Sequence, residues 1–191
     1  MKMKKNSGLI VGMGMILLAI GVYLITTYNS LASAENNVDA KWSQVENVMQ
    51  RRADLIPNLV NSVQGSMNHE EKIVKEITDA RKAYNSAKSP AEKNAANNQI
   101  EQSLGTMVNV IQEDYPTLAS NENVKTLMVQ LEGTENRISV ERKNYIEEVN
   151  DYNQSLVRFP KNMAAKVLGF DKKANFKADE NAKEVPDVSF E

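Results

Sequence analysis

The longest apolar stretch of the chain lies near its start. Residues 8–27 are twenty mostly apolar residues, and no charged residue occurs between Asn6 and Ala34. A helix of twenty residues is about 30 Å long, which matches the hydrocarbon thickness of a bilayer. The pattern therefore predicts one transmembrane helix over residues 8–28.

After this stretch, apolar residues recur at alternating steps of four and three, the heptad spacing of helices that pack at shallow angles. Pro57 lies within the first series, where it removes the hydrogen bond to the Ala53 carbonyl, so we expect it to kink the helix. The members of this series are Val38, Trp42, Val45, Met49, Arg52, Ile56, Leu59 and Val63.

Three further helices are predicted from capping patterns and spacing. Asn68 and Glu71 form a capping-box pattern that opens the second helix, and Ser89-Pro90-Ala91-Glu92 opens the third. The third helix should end before Pro116, because a residue that precedes proline disfavours helical geometry. The fourth is predicted from about residue 121 to residue 159. Its series is Val124, Met128, Leu131, Glu135, Ile138, Arg142, Tyr145, Val149, Tyr152 and Leu156.

These patterns predict an all-α fold, in which an N-terminal transmembrane helix precedes an antiparallel up-and-down four-helix bundle with long heptad-patterned helices. An amphipathic turn, Pro160 to Leu168, is expected to end at Gly169 as a C-terminal cap. The expected organisation is a cytoplasmic stub at 1–7, a transmembrane signal-anchor helix at 8–28, an extracytoplasmic bundle at 29–169 and a flexible tail at 170–191.

The charges beside the apolar stretch predict its orientation. Lys2, Lys4 and Lys5 precede it, and basic residues resist translocation. We therefore expect a single-pass protein of the cell membrane with its N-terminus in the cytoplasm. The alternative is a signal peptide cleaved after Ala34, since Ala32-Ser33-Ala34 fits the cleavage pattern, but the apolar stretch exceeds the usual signal-peptide core. Both readings place most of the chain outside the cytoplasm.

Composition excludes several classes of site. The chain has no cysteine and one histidine, which excludes Cys/His catalysis and thiolate metal sites. His69-Glu70-Glu71 lacks the second histidine of a zinc-binding HExxH motif. Without the three N-terminal lysines, 20 basic residues face 25 acidic ones, a formal charge of −5 that disfavours nucleic-acid binding. We expect no catalytic residue, cofactor or metal ion.

Three charged residues occupy positions of the apolar series: Arg52 in the first, and Glu135 and Arg142 in the fourth. A lone charge in a helical core costs several kcal/mol, so such groups pair or reach water. One interpretation is a structural polar layer in which Arg52 meets Glu135, with Arg142 one heptad away. The other is that the arginine stems cover the core while their head groups reach solvent.

Distinctive segments occur in order along almost the whole chain. The most distinctive is QRRADLIPNLV at Gln50–Val60, followed by LEGTENRIS at Leu131–Ser139. The others are Tyr28–Leu31, Trp42, His69-Glu70, Ala80-Arg81, Glu113–Leu118, Arg142, Tyr145, Tyr152-Asn153, Phe159-Pro160, Gly169-Phe170 and Pro186–Phe190. In this combination the chain resembles the LemA family, with a departure at Met67, where the family often has an aromatic residue. The resemblance implies a bacterial membrane protein with a short N-terminal anchor and an extracytoplasmic helical bundle. It implies no catalytic residue.

Three functional hypotheses follow. The first is a non-enzymatic envelope protein, a tethered bundle that scaffolds or binds a partner protein. The second is an accessory subunit that regulates a membrane protease or transporter through the transmembrane helix, where Gly8 and Gly12 form a GxxxG motif compatible with helix–helix contact or a homo-oligomer. The third is a hydrolase of envelope polymers that uses Glu70 and Glu71, which adjacent helical positions disfavour.

Overall fold

The computed structural model describes residues 4–67 and 69–176, and these residues are helical apart from short connections and the segment after residue 168. The elements are α1 (Lys4–Val63), α2 (Glu71–Ser86), α3 (Pro90–Asp114), α4 (Pro116–Ala119), α5 (Glu122–Val157) and α6 (Lys161–Leu168). No strand occurs in this part of the chain. The all-α class predicted from the sequence is confirmed.

The chain divides into two compact units. Unit 1 combines residues 1–40 with 146–191, and unit 2 comprises residues 41–145. Of unit 1, the structure describes residues 4–40 and 146–176.

Unit 1 contains the apolar N-terminal part of α1. Within the described residues, α1 is the one helix long and apolar enough to cross a membrane. Large apolar side chains on this part of the helix are exposed, such as Leu9 at 70% and Leu18 at 71%. The unit also has its own small core, formed by Leu31, Val38, Val149, Tyr152, Leu156, Ala164 and Ala165.

Side chains of unit 1 hold the segment that follows α6. Gly169 ends α6 in the left-handed conformation (φ 79°), as the sequence predicts for a C-terminal cap. The Tyr152 hydroxyl donates to the Asp171 carbonyl at 3.0 Å, and Asn153 exchanges two hydrogen bonds with the backbone of Lys173. Lys173 Nζ also lies 2.9 Å from Glu35 Oε1. Residues 170–176 are therefore tied to α1 and α5.

Unit 2 has a hydrophobic core of its own. α2 packs against α3, and α3 packs against α4. Trp42 is half-buried and meets Tyr145 edge-on, with ring centroids 5.6 Å apart. The core is formed by Val45, Met49, Ile56, Leu59, Val63, Ile77, Ala80, Tyr84, Ala96, Ile100, Leu104, Met107, Ile111, Leu118, Val124, Leu131, Ile138 and Tyr145.

Pro57 lies inside α1, which continues to Val63. Proline has no N–H, so the Ala53 carbonyl lacks the helical partner that residue 57 would supply. Arg81 of α2 takes this place, since its Nε donates to the Ala53 carbonyl at 2.9 Å. The interruption in α1 is thus compensated by a neighbouring helix.

The helix starts and ends agree with the sequence patterns in part. Ser89 and Glu92 form the predicted capping box, and α3 ends at Asp114 before Pro116. α5 begins at Glu122 and ends at Val157, so it is slightly shorter than the predicted fourth helix. The four-residue helix α4 was not predicted. Asn68, the N-terminal stub at residues 1–3 and residues 177–191 of the tail lie outside the described residues.

Candidate functional site

The strongest candidate site lies in unit 2 around a buried arginine. Arg52 is 1% exposed, and its guanidinium forms an ion pair with Glu135 of α5. Burial lowers the pKa of Arg52, while the carboxylates of Glu135 and then Glu101 act in the opposite direction. The structure thus brings together the two residues that the sequence suggested as partners.

Arg142 belongs to the same cluster. Its Nη2 donates to Asn94 Oδ1 at 3.1 Å and to Asn98 Oδ1 at 3.0 Å. Glu101 Oε2 lies 4.0 Å from Nη1 of Arg142 and 4.0 Å from Nη1 of Arg52. We call Arg52, Glu101, Glu135 and Arg142 the polar layer, in which two positive charges face two negative ones.

The α3 half of the polar layer was missed by the sequence reasoning. Asn94, Asn98 and Glu101 all come from α3, a helix for which the sequence patterns predicted no polar contact. Asn97 lies on the same helix and is fully buried, and within the described residues its amide nitrogen and oxygen have no hydrogen-bond partner. The spacing of these four positions, i, i+3, i+4 and i+7, is a helical stripe that a search for polar periodicity would have found.

An open groove of about 530 Å³ adjoins the polar layer, between α3 and the unit 2 part of α5. Arg52, Glu101 and Glu135 are part of its lining, and Lys125 and Glu132 also line it. Its apolar side chains are Leu104, Val108, Met128, Val129 and Leu131. Gly105 faces open space, because a Cβ added there would meet no atom within 4 Å.

Arg52, which is part of the groove lining, has one unsatisfied donor. Its Nη1 is buried and makes no hydrogen bond within the described part of the chain. A buried donor without an acceptor costs about 1–3 kcal/mol, more when charged. The groove therefore combines apolar walls with one buried, charged donor, a combination suited to binding an apolar segment that carries a hydrogen-bond acceptor.

The residues considered for hydrolysis do not form a comparable cluster. Glu70 precedes α2 and accepts a long hydrogen bond of 3.5 Å from the Tyr115 hydroxyl, whereas Glu71 is exposed as the first residue of α2. His69 is also exposed. Within residues 4–67 and 69–176, no group of three or more His, Asp or Glu side chains could hold a metal ion.

Comparison with known proteins places these residues in a family. The LemA family model matches residues 41–190, which include the whole polar layer and the groove. Magnetosome proteins MamQ 1 and MamQ 2 of Paramagnetospirillum magneticum are each 25% identical over 192 residues, covering 87% of this chain and 70% of theirs. Magnetosome protein MamQ of Magnetospirillum gryphiswaldense is 24% identical over 180 residues, covering 81% of this chain and 66% of its own.

Proposed function

The chain belongs to the LemA family, and from that premise we propose that it is a non-enzymatic protein anchored in the cell membrane. The part of the chain that follows the anchor then lies outside the cytoplasm, where it binds a partner protein of the cell envelope. The anchor is supported by the apolar side chains of α1 between residues 9 and 25, which are largely exposed. An exposed apolar patch of this size is unfavourable in water and favourable in lipid.

The groove is the observation that carries the binding function. A partner segment with apolar side chains would cover Val108, Met128 and Val129, and on binding the guanidinium of Arg52 would turn so that Nη1 donates to one of its carbonyl oxygens. Such a contact removes apolar surface from water and satisfies the buried donor in one step. The groove residues all lie within the region that the family model matches.

The polar layer is suited to recognition and positioning. Its arginines and glutamates face one another, so that each charge is balanced by a neighbour. The buried member of the layer is Arg52, which remains protonated far above neutral pH, and the glutamates are engaged in ion pairs with the arginines. We therefore assign the layer to positioning the groove.

Photo-crosslinking from the groove tests this function. A photoreactive phenylalanine analogue at Val129, which lines the groove and is 60% exposed, should give a reproducible crosslinked partner in intact spheroplasts. The same analogue at Val140, which is 57% exposed and lies outside the groove lining, is the matched control. Equal crosslinking at both positions, or none at Val129, contradicts docking in the groove.

A second variant pair separates groove occupation from general damage. Gly105→Leu places a side chain in the groove and should abolish the Val129 crosslink. Gly133→Leu makes the same change at another exposed helical glycine with open space around it, and should leave the crosslink intact. A crosslink that survives Gly105→Leu contradicts the proposed site.

One observation favours regulation of a membrane protease or transporter through the membrane helix as the second candidate. Added Cβ atoms at Gly8 and Gly12 would meet nothing within 4 Å, so this GxxxG face is open for another helix. Replacing residues 8–27 with an unrelated apolar helix distinguishes the two functions. Only the accessory role predicts that the exchange abolishes the function of the protein in the cell. A protein that acts through the groove should keep its function after the exchange.

A further inference from the structure

An exposed apolar stripe on unit 1 lies outside both the anchor and the groove. Phe159, Met163 and Val167 follow one another at steps of four residues and are 80%, 65% and 79% exposed. The opposite side of α6 is closed, because Ala164 and Ala165 are 4% and 2% exposed. α6 therefore has one face in the unit 1 core and an exposed face with Met163 and Val167, and Phe159 is exposed in the turn that precedes the helix.

Two contacts place α6 beside the end of the apolar part of α1. Lys161 Nζ lies 3.1 Å from Ser30 Oγ, and the Phe170 ring lies 5.6 Å from the Tyr28 ring. Ser30 and Tyr28 immediately follow the apolar residues 8–27. Where those residues cross a bilayer, Tyr28 lies at its surface, the level at which tyrosine is enriched.

The charges of α6 fit the same location. The helix carries Lys161 and Lys166 and no acidic residue. Arg158 precedes it, and Asp171, Lys172 and Lys173 follow. Short amphipathic helices with basic residues on the polar side lie in the interface plane, where apolar side chains enter the acyl boundary and basic groups meet anionic head groups.

We infer that α6 is a second membrane contact: Phe159, Met163 and Val167 insert into the bilayer surface from which α1 emerges. The occupant of the exposed stripe is lipid, because α6 lies beside the end of the apolar part of α1 and carries two lysines and no acidic residue. This inference rests on the membrane anchoring proposed above. It adds an orientation, since a helix that crosses the bilayer and one that lies on it together restrict the rotation of unit 1.

Single-cysteine fluorescence tests the contact, because the chain has no cysteine of its own. The environment-sensitive dye NBD is attached to Val167→Cys in the full chain, reconstituted in vesicles of phosphatidylethanolamine and phosphatidylglycerol. The matched controls are Val140→Cys, an exposed valine of unit 2, and Leu17→Cys within the apolar helix. Each protein is measured with and without lipids brominated along their acyl chains.

We expect the Val167 probe to emit at shorter wavelength than the Val140 probe and to lose at least a third of its intensity in brominated lipid. The Val140 probe should be unaffected, and the Leu17 probe should be quenched most. Quenching of Leu17 without quenching of Val167 overturns the α6 contact and leaves the anchor standing. A blue-shifted but unquenched Val167 probe also overturns it, because protein then covers the stripe. An unquenched Leu17 probe contradicts the anchor itself.

Discussion

At the scale of single residues, the stability of the fold depends on how the charge of Arg52 is balanced. A fully buried guanidinium is stable only with close acceptors, and Glu135 supplies the main one while itself remaining partly exposed at 37%. The two partners are therefore unequal. Removing the carboxylate leaves a buried charge unpaired, whereas removing the arginine leaves a carboxylate that water can reach.

This inequality predicts the outcome of a double-mutant cycle. Glu135→Met should lower the free energy of unfolding by about 3 kcal/mol, and Arg52→Met by roughly 1 kcal/mol or less. The double variant should resemble Arg52→Met alone, as measured by urea unfolding of the detergent-solubilised chain. Glu132→Met, at an exposed glutamate of the same helix, is the control and should change stability by less than about 0.5 kcal/mol. Simple additivity of the two single changes contradicts the pair.

Tyr84 predicts a loss of stability at alkaline pH. Burial, with the nearby carboxylates of Glu46 and Asp54, raises the pKa of Tyr84 to about 12. In the unfolded chain the pKa of a tyrosine is about 10, so between these two pKa values the unfolded state loses its proton first. The contribution of neutral Tyr84 is thus complete below about pH 10 and is lost as pH rises toward about 12.

The measurement is the urea midpoint between pH 8 and 11.5 for the unaltered chain and for Tyr84→Phe. The variant loses the 3.3 Å hydrogen bond to the Glu46 carbonyl, so it should be less stable at pH 8. Above about pH 10 the urea midpoint of Tyr84→Phe should fall less steeply with pH than that of the unaltered chain. The difference between the two midpoints should therefore become smaller. Parallel curves over the whole range contradict this account of Tyr84.

At the scale of elements, the Arg81 side chain of α2 donates a hydrogen bond to the Ala53 carbonyl of α1, which Pro57 leaves without its helical donor. Arg81→Met should cost about 1–3 kcal/mol, because the Ala53 carbonyl loses its donor. In a Pro57→Ala background the same change should cost much less, since the new amide can donate to Ala53. The free energy of unfolding in urea is measured for the unaltered chain, the two single variants and the double variant. An equal cost of Arg81→Met with proline and with alanine at position 57 contradicts the proposed link between Arg81 and Pro57.

The helices also show which features of the structure could be predicted from the sequence alone. Local signals were sufficient for the Ser89 capping box, the stop before Pro116 and the Gly169 cap, because each depends on residues close in the chain. The contribution of α3 to the polar layer depends on which faces of α1, α3 and α5 meet, and spacing within one helix does not contain that information. The exposed stripe of α6 could not be recognised either, because its exposure depends on Ala164 and Ala165 being covered.

At the scale of the whole molecule, the chain has two units, to which we assign different tasks. We propose that unit 1 holds the protein at the membrane through α1 and α6, and that unit 2 presents the groove to a partner. The family model begins at residue 41 and so contains unit 2, whereas the apolar part of α1 precedes the matched region. The anchor is therefore supported by the apolar residues of α1 themselves, and the α6 contact and the extracytoplasmic binding function both depend on it.

Cysteine accessibility tests this placement most directly. Ser86→Cys lies at the exposed end of α2, and Ser7→Cys precedes the apolar stretch. A membrane-impermeant maleimide should label Ser86→Cys in intact spheroplasts and should label Ser7→Cys only after the membrane is permeabilised. Labelling of Ser7→Cys in intact spheroplasts, with Ser86→Cys protected until permeabilisation, contradicts the proposed orientation and the extracytoplasmic binding function.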